Sequence, residues 1–139
     1  MRSVAGLRVR DVMTPDPITA KLDVTVVELA RLMAENNIGS VIIVDDNNTP
    51  IGIVTEDDLV KRVLARARDP ATTTAQDIMS TPLIYVEPDT LLKDAADLMA
   101  RKGVGHLPVI QGNKLLGIIA EYDIVRLAPQ FIEILYIRR

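Results

Sequence analysis

The sequence predicts an α+β fold made of two copies of one strand–helix–strand–strand–helix unit. Three observations support this prediction: the chain repeats itself at a spacing of about 66 residues, each copy contains an amphipathic helical pattern, and each copy contains two short apolar runs separated by turn residues. The chain has 139 residues, so one copy alone would bury too little apolar surface to be stable. We therefore expect the two copies to pack with pseudo-twofold symmetry into one compact module.

The repeat extends along almost the whole chain. A shift of 66 positions aligns the first part of each copy, and a shift of 65 positions aligns the second part. The aligned pairs include Asp11 with Asp77, Met13 with Met79, Ala30 with Ala96, Gly39 with Gly105 and Gly52 with Gly117. We place repeat 1 at residues 7–68, repeat 2 at residues 74–128 and an apolar C-terminal tail at residues 129–139.

Each repeat begins with a turn-like Met-Thr/Ser-Pro region that leads into a short strand, around Ile18 in the first copy and Ile84 in the second. An amphipathic helix follows in each copy, with an apolar stripe of Val26, Leu29, Ala30 and Met33 in repeat 1 and of Leu92, Ala95, Ala96 and Met99 in repeat 2. Thr25 and Glu28 have the spacing of a capping box at the start of the first helix. Gly103 is a suitable C-terminal stop for the second helix, because glycine tolerates the left-handed backbone that often ends helices.

Two apolar runs come next in each repeat: "SVIIVD" with "IGIVT", and "LPVIQ" with "LLGIIA". "DNNTP" and "GNK" separate the runs, and their turn-forming residues predict an antiparallel pair of strands in each copy. A second helix is expected to begin at Glu56 in repeat 1 and at Glu121 in repeat 2.

The composition excludes several kinds of chemistry. Cysteine is absent, which excludes disulfides and thiolate metal sites, and there is one histidine and no glycine-rich phosphate loop. The formal net charge of −3 argues against nucleic acid as a partner. No apolar run reaches the ~18 residues of a membrane span, and the N-terminus has no signal-peptide core. We therefore expect a cytoplasmic protein that is not an enzyme and needs no cofactor, with no membrane partner.

The motifs resemble one known family. Tandem copies of D-V/I-M-T/S, of an A-x-L-M-A helix and of G-I-V/I-x-E-x-D are similar to those of the CBS-domain (cystathionine β-synthase domain) family, over roughly residues 7–128. The resemblance implies a stand-alone Bateman module, in which the paired domains usually bind adenosine-containing ligands such as AMP, ADP, ATP or S-adenosylmethionine. It also implies that the module regulates an effector protein, here unknown, and pairs into a homodimer through its helices.

The heptapeptides "GIVTEDD" (52–58) and "GIIAEYD" (117–123) have a structural and a functional interpretation. Structurally, Thr55 is an N-cap and Asp58 is a first-turn carboxylate favoured by the helix dipole. This explains repeat 2 less well, because Ala120 is a poor cap and Asp123 would be kept for its dipole interaction alone. Functionally, a helix start favours phosphate, and a carboxylate one turn along can accept hydrogen bonds from a ribose cis-diol.

The resemblance implies two clefts between the repeats, of unequal strength, in which the aspartate of one repeat faces the N-terminal segment of the other. Asp58 and Asp123 are expected to bind ribose, Thr55 phosphate or ribose, and the Ile84 region the adenine. The stronger cleft is expected to contain Thr55, Asp58, Ser80, Ile84, Tyr85, Gly105 and His106. The weaker cleft is expected to contain Thr14, Ile18, Thr19, Gly39, Ser40 and Asp123.

Several alternatives remain open at this stage. His106 is either a partly exposed structural residue or a phosphate contact. Most of the basic residues near the second helices, Lys61, Arg62 and Arg126, are expected to be solvated charges on helix faces. Too few cations then converge for a triphosphate, so we favour AMP or ADP over ATP, with S-adenosylmethionine behind them. The apolar tail at 129–139 either covers its own domain or forms a self-association surface. The rival to a nucleotide-binding module is a ligand-free scaffold for dimerisation and docking.

Overall fold

The computed structural model describes residues 4–137, which fall into two compact units. The central unit comprises residues 18–83, and the split unit comprises the chain up to residue 17 together with the chain from residue 84 onward. In chain order the elements are α1 (Val9–Val12), β1 (Thr14–Pro15), β2 (Thr19–Lys21), α2 (Val26–Asn36), β3 (Ser40–Val44), β4 (Pro50–Thr55), α3 (Glu56–Asp58), α4 (Ala75–Ile78), α5 (Leu92–Lys102), β5 (His106–Gln111), β6 (Lys114–Ala120) and α6 (Glu121–Leu127). Helix α3 continues as a π-helical stretch, Leu59–Leu64.

The central unit contains a three-stranded sheet in the order β2-β3-β4. Strand β2 is parallel to β3, and β4 is antiparallel to β3, which confirms the antiparallel pair predicted for repeat 1. All five residues of β3 are buried, as expected of a middle strand. The apolar stripe of α2, formed by Val26, Leu29 and Met33, is buried in the same core as Val41 and Val54 of the sheet.

The split unit contains a second three-stranded sheet, in the order β1-β6-β5. Strands β5 and β6 form the antiparallel pair predicted for repeat 2, and β1 adds to β6 with Thr14 opposite Ile118. Helix α5 buries the predicted stripe, and it ends at Gly103, whose φ of +64° is readily adopted by glycine. The buried residues of that stripe are Leu92, Ala95, Ala96 and Met99.

The strand predicted around Ile84 is wrong. Within the described residues 83–90, only an isolated bridge forms, between Val86 and Val109 of β5. The amide of Val86 donates to the carbonyl of Pro108, and the amide of Ile110 donates to the carbonyl of Val86. Proline carries no amide hydrogen, so neither Pro88 nor Pro108 can donate to extend this ladder.

The C-terminal tail covers its own unit. After α6 the chain forms a 3-10 turn, Pro129–Phe131, and a π-helical turn, Glu133–Ile137. Phe131 and Leu135 are buried in the core of the split unit, whereas Ile132 and Tyr136 remain exposed. Of the two predicted roles of the tail, packing on its own domain is therefore observed, while residues 138–139 lie outside the described part of the chain.

The compact units do not follow the boundaries of the sequence repeats. The leading segment of repeat 1, which contains α1 and β1, belongs to the split unit with the body of repeat 2. The leading segment of repeat 2, which contains α4, belongs to the central unit with the body of repeat 1. The two leading segments pack in equivalent ways. A Cβ atom added at Gly117 would lie 2.8 Å from the Met13 sulfur, and one at Gly52 would lie 2.7 Å from the Met79 sulfur.

Candidate functional site

The candidate site of the central unit lies where β4 ends and α3 begins. Thr55 is the last residue of β4 and pairs in register with Ser40, the buried first residue of β3. The amide of Glu56 donates to the carbonyl of Gly39 at 3.1 Å. The strand pairing therefore places Gly39 and Ser40 directly beside the start of the helix.

The Asp58 carboxylate is held by the start of its own helix. Its Oδ2 atom accepts hydrogen bonds from the Thr55 amide at 2.9 Å and from the Thr55 hydroxyl at 3.2 Å. The Asp58 amide donates to the Thr55 hydroxyl oxygen at 3.3 Å. Thr55 has the extended backbone of an N-cap residue, so the two residues form a reciprocal cap in which aspartate takes the place that glutamate usually has.

Arg62 holds the other oxygen of the same carboxylate. Its Nε atom lies 3.4 Å from Asp58 Oδ1, and its Nη1 atom donates to the carbonyl of Ile78 at 2.9 Å. The Asp58 side chain is only 12% exposed, and that of Arg62 is 46% exposed. Arg62 is thus an exposed charge, as predicted for most of these basic residues, and it also bridges Asp58 to the carbonyl groups at the end of α4, which the sequence did not predict.

Lys61 and Arg126 match the prediction better. Lys61 forms an ion pair of 3.0 Å with Asp57 one turn earlier, and both side chains are largely exposed. The Arg126 guanidinium lies 5.8 Å from the centroid of the Tyr122 ring, and both residues are on the surface. These contacts are ordinary pairs on a helix face.

Three further predicted residues belong to the central unit. The amide of Ser80 donates to the carbonyl of Ile53 in β4 at 2.9 Å, so the leading segment of repeat 2 reaches the strand that carries Thr55. Thr19 lies in β2 opposite Ile42, and the carbonyl of Ile18 accepts from the Ile42 amide.

The split unit repeats this geometry around Asp123. Its Oδ2 atom accepts a hydrogen bond from the Ala120 amide at 2.9 Å. The amide of Glu121 donates to the carbonyl of Gly105 at 3.0 Å, and His106 is half-buried opposite Ala120. Thr14 lies in β1, beside the same strand; Ile84 packs on the core of this unit and Tyr85 is exposed.

The implied clefts each take residues from both units. Of the stronger cleft, Thr55, Asp58 and Ser80 lie in the central unit, and the other members lie in the split unit. Gly39 and Ser40 were expected to accompany Asp123, and within the central unit they lie beside Thr55. Gly105 and His106 likewise lie beside Ala120 in the split unit. Which of these residues contact a ligand stays a prediction.

The interpretation that Asp123 is kept for its dipole interaction alone is wrong, since its carboxylate caps the Ala120 amide. The same bond occurs at two more helix starts, from the Arg8 amide to Asp11 at 2.8 Å and from the Thr74 amide to Asp77 at 2.9 Å. The signal was present in the sequence, because Asp11 aligns with Asp77 as Asp58 aligns with Asp123. An aspartate three residues after the N-cap recurs at all four positions.

Hydrogen bonding changes the acidity of one of these groups. The Thr74 amide and then the Thr74 hydroxyl, at 3.1 Å, hold the pKa of Asp77 below its usual range because both donate to the charged form. Arg68 adds a smaller effect in the same direction, and desolvation opposes it.

Two grooves lie on the helical side of the central unit, with volumes of about 450 and 470 Å³. Ala30 and Ala34 of α2, together with Leu59 and Leu64 after α3, line both grooves. The lining is mainly apolar, and Leu64 is 70% exposed. The second groove also reaches Glu56, next to the candidate site.

Metal-binding clusters are not found in residues 4–137: no three histidine or acidic side chains there converge in a way that could hold an ion. In the same residues, every helix is too short or too polar to cross a membrane.

The comparisons with known proteins agree on one family. The CBS domain family model matches the chain twice, at residues 9–65 and 75–129. An uncharacterized protein of Methanopyrus kandleri is 43% identical over 133 residues, covering 95% of this chain and 66% of that protein. The chain thus spans about two thirds of the length of that relative.

Two solved structures show the same fold. The hexameric CBS-CP12 protein from bloom-forming cyanobacteria is 35% identical with a TM-score of 0.83, over 91% of this chain and 73% of that one. The CBS domain pair of protein MJ0100, solved in complex with 5′-methylthioadenosine and S-adenosyl-L-methionine, is 28% identical with a TM-score of 0.81, over 89% and 97%. Sequence and structure together show that this chain belongs to the CBS domain family and contains two CBS domains in tandem.

Proposed function

We propose that this CBS-domain pair is a regulatory module that binds an adenosine-containing ligand, with AMP and ADP preferred over ATP, and that signals ligand occupancy to a partner protein. The observation that carries the proposal is the hydroxyl–carboxylate pair of Thr55 and Asp58 at the end of β4, where Thr55 pairs in register with the buried residue Ser40. The adenosine ligands of the structurally similar MJ0100 pair support the same ligand class.

Asp58 keeps the acceptor capacity that a ribose requires. A carboxylate has about four lone-pair sites. Two on Oδ2 are used by Thr55, and Arg62 approaches Oδ1 at 3.4 Å. Oδ1 can therefore accept a ribose hydroxyl, and a turn of the Thr55 hydroxyl toward the ligand would release a second acceptor on Oδ2. Because the Asp58 side chain is largely enclosed, such a bond forms in a lower effective dielectric than at the open surface.

The charge around the helix start sets the expected order of phosphate number. Glu56, Asp57 and Asp58 place three carboxylates in the first turn. The two cations of the stretch that follows α3, Lys61 and Arg62, are paired with Asp57 and Asp58. Each added phosphate increases the repulsion with these carboxylates, so affinity is expected to fall from AMP to ADP to ATP. Methylthioadenosine and S-adenosylmethionine carry no phosphate and avoid this repulsion, so the preference for AMP over them depends on a favourable contact of the helix start with the first phosphate. The proposed phosphate contact of His106 would favour AMP over the ligands without phosphate.

Calorimetric titration and thermal unfolding test this function with AMP, ADP, ATP, methylthioadenosine and S-adenosylmethionine. A ligand at 100 times its Kd stabilises a folded protein by ~2.7 kcal/mol. We expect Asp58→Asn to weaken binding by at least ~10-fold through loss of a charge-assisted hydrogen bond. Asp123→Asn is the matched control at the position without a neighbouring hydroxyl, and a smaller loss is expected. Absence of stabilisation by all five ligands would contradict the proposal.

A ligand-free docking scaffold is the second candidate, and two observations favour it. The four capping aspartates have structural roles that need no ligand. The apolar grooves beside α2, with Val60 and Leu64 exposed, are a surface on which a second copy of the chain can pack. A homodimer would bury this surface, and the hexameric state of the cyanobacterial relative supports self-association. Sedimentation of the protein and of Leu64→Glu tests this, since a dimer through this face should dissociate in the variant.

A further inference from the structure

We infer that Arg62 is a positioning residue that fixes the Asp58 carboxylate in the orientation needed to accept ribose hydroxyls; the inference rests on the ligand class proposed above. Arg62 links two segments of the central unit that are distant in sequence. Its Nε atom faces Asp58 Oδ1 at 3.4 Å, and its Nη1 atom donates to the carbonyl of Ile78 at 2.9 Å, with the carbonyl of Met79 at 3.5 Å.

The bonds to Thr55 fix Oδ2 alone, which leaves the carboxylate plane free to turn. Arg62 adds the second point of attachment at Oδ1, so the plane becomes defined. A guanidinium is planar and holds its donors in a rigid fork, so anchoring Nη1 on Ile78 also restricts the direction of Nε. An acceptor that is already oriented loses less conformational freedom when a ligand binds, and this raises affinity.

The local backbone supports the same assignment. Arg62 lies in the π-helical stretch Leu59–Leu64, whereas the equivalent helix of the split unit, α6, is α-helical as far as Leu127. π-helical turns are rare and occur frequently at functional sites. The 65-residue repeat shift places Leu127 at the position of Arg62. The leucine side chain has no hydrogen-bond donor, so the position equivalent to Arg62 cannot orient Asp123 in this way.

The test compares three variants with two ligands in calorimetric titrations. Arg62→Gln removes the positive charge and the planar guanidinium. Arg62→Lys keeps the charge but lacks the planar group with its fixed donors. Lys61→Gln is the matched control one residue away. The ligands are AMP and 2′,3′-dideoxy-AMP, which lacks both ribose hydroxyls. We expect Arg62→Gln to weaken AMP binding ~5-fold to 10-fold, which is the size expected for the loss of one partly buried ion pair. Binding of dideoxy-AMP should change by less than ~2-fold, because this ligand has no ribose hydroxyl for Asp58 to accept. Arg62→Lys should fall between parent and Arg62→Gln, and Lys61→Gln should stay within ~2-fold of the parent for both ligands.

Equal losses for the two ligands, or no loss for AMP, would overturn the positioning role, because a general effect on fold or charge does not depend on the ribose hydroxyls. A second measurement needs no ligand: amide hydrogen exchange at Thr55, whose amide donates to Asp58. Exchange should become faster in Arg62→Gln and remain unchanged in Lys61→Gln. Unchanged exchange in Arg62→Gln would overturn the inference even if the parent binds AMP. Failure of the parent to bind either ligand, with faster exchange in Arg62→Gln, would instead overturn the proposed ligand and leave the positioning of Asp58 established.

Discussion

The helix after β4 in the central unit and the helix after β6 in the split unit begin with the same bond and differ in what surrounds it. In both, the N-cap amide donates to an aspartate Oδ2 at 2.9 Å. The Thr55 hydroxyl and Arg62 also reach Asp58, whereas Ala120 and Leu127 occupy the equivalent positions near Asp123. The comparison shows that the repeated aspartate starts a helix in both units. The groups added around Asp58 are what distinguish the two helix starts.

The largest effect that separates the two units is expected from alanine at the paired glycines. A Cβ atom at Gly117 would lie 2.7 Å from the backbone oxygen of Thr14, which cannot move without the strand. A Cβ atom at Gly52 would lie 2.7 Å from the sulfur of Met79, a flexible side chain, and 3.2 Å from the backbone oxygen of Ser80, a less severe backbone contact. We expect Gly117→Ala to lower the free energy of unfolding by about 3 kcal/mol and Gly52→Ala by about 1 kcal/mol. Urea unfolding measures both, and equal losses would show that the leading segments are held with the same rigidity.

The next effect concerns the aspartates themselves. Asp58→Ala removes the acceptor of two Thr55 donors and leaves Arg62 without its carboxylate, so we expect a loss of about 2 kcal/mol in the free energy of unfolding. Asp123→Ala removes one backbone acceptor and should cost about 1 kcal/mol. Denaturant titration of the two variants checks the difference. A larger loss for Asp123→Ala would break the comparison.

A smaller effect is expected from exchanging the N-cap residues. Thr55→Ala should lower the free energy of unfolding by about 1 kcal/mol, because Ala cannot accept the Asp58 amide hydrogen bond. Ala120→Thr should raise it by about 0.5 kcal/mol by supplying the missing hydroxyl in the split unit. Thermal unfolding of the two variants and of the double variant measures both changes. Destabilisation by Ala120→Thr would mean that the split unit has no room for the hydroxyl.

The smallest effect concerns the cap of α4. There the Thr74 hydroxyl donates to Asp77, whereas Arg8, the N-cap of α1, has no hydroxyl to donate to Asp11. Because the pKa of Asp77 is lowered in the folded protein, its contribution to stability is present above the pKa of an unfolded aspartate, about 3.9, and is lost as the pH falls through the lower folded value. Thr74→Ala should raise the pKa of Asp77 toward its usual value, since the hydroxyl bond is lost. An NMR titration of the Asp77 carboxyl carbon measures this, and an unchanged pKa would assign the shift to the backbone amide and Arg68 alone.

Local patterns were sufficient for most elements. The paired strands β3–β4 and β5–β6, the buried stripes of α2 and α5, and the helix starts at Glu56 and Glu121 follow from alternation, helical spacing and turn residues. Half of the capping box predicted at α2 is observed, as the Thr25 hydroxyl oxygen accepts from the Glu28 amide. The strand expected at Ile84 failed because the missing amide donors of the prolines outweighed its apolar composition.

The candidate site was only partly predictable for a different reason. Thr55 and Asp58 were recognised because their spacing is local, and a cap acts within one turn. The contacts of Arg62 were not predicted because its partner, the Ile78 carbonyl, lies 16 residues away along the chain. The spacing of apolar residues shows only that a charged residue lies on the polar face of a helix. It does not show whether that charge also contacts a distant segment of the chain.

The sequence by itself determined the duplication, through the match of the two copies. It also determined most strands and helices, apart from the strand expected at Ile84, and the spacing of the aspartate that caps four helix starts, because these depend on residues within a few positions of one another. Only the tertiary structure decided that each leading segment packs with the body of the other repeat. The contacts of Gly52 with Met79 and of Gly117 with Met13 are nearly equivalent. Local sequence preferences therefore do not determine which body each leading segment packs against. The packing of each leading segment depends on burial of residues that are distant in sequence. In the central unit this packing brings Arg62 and the Ile78 carbonyl together beside Asp58.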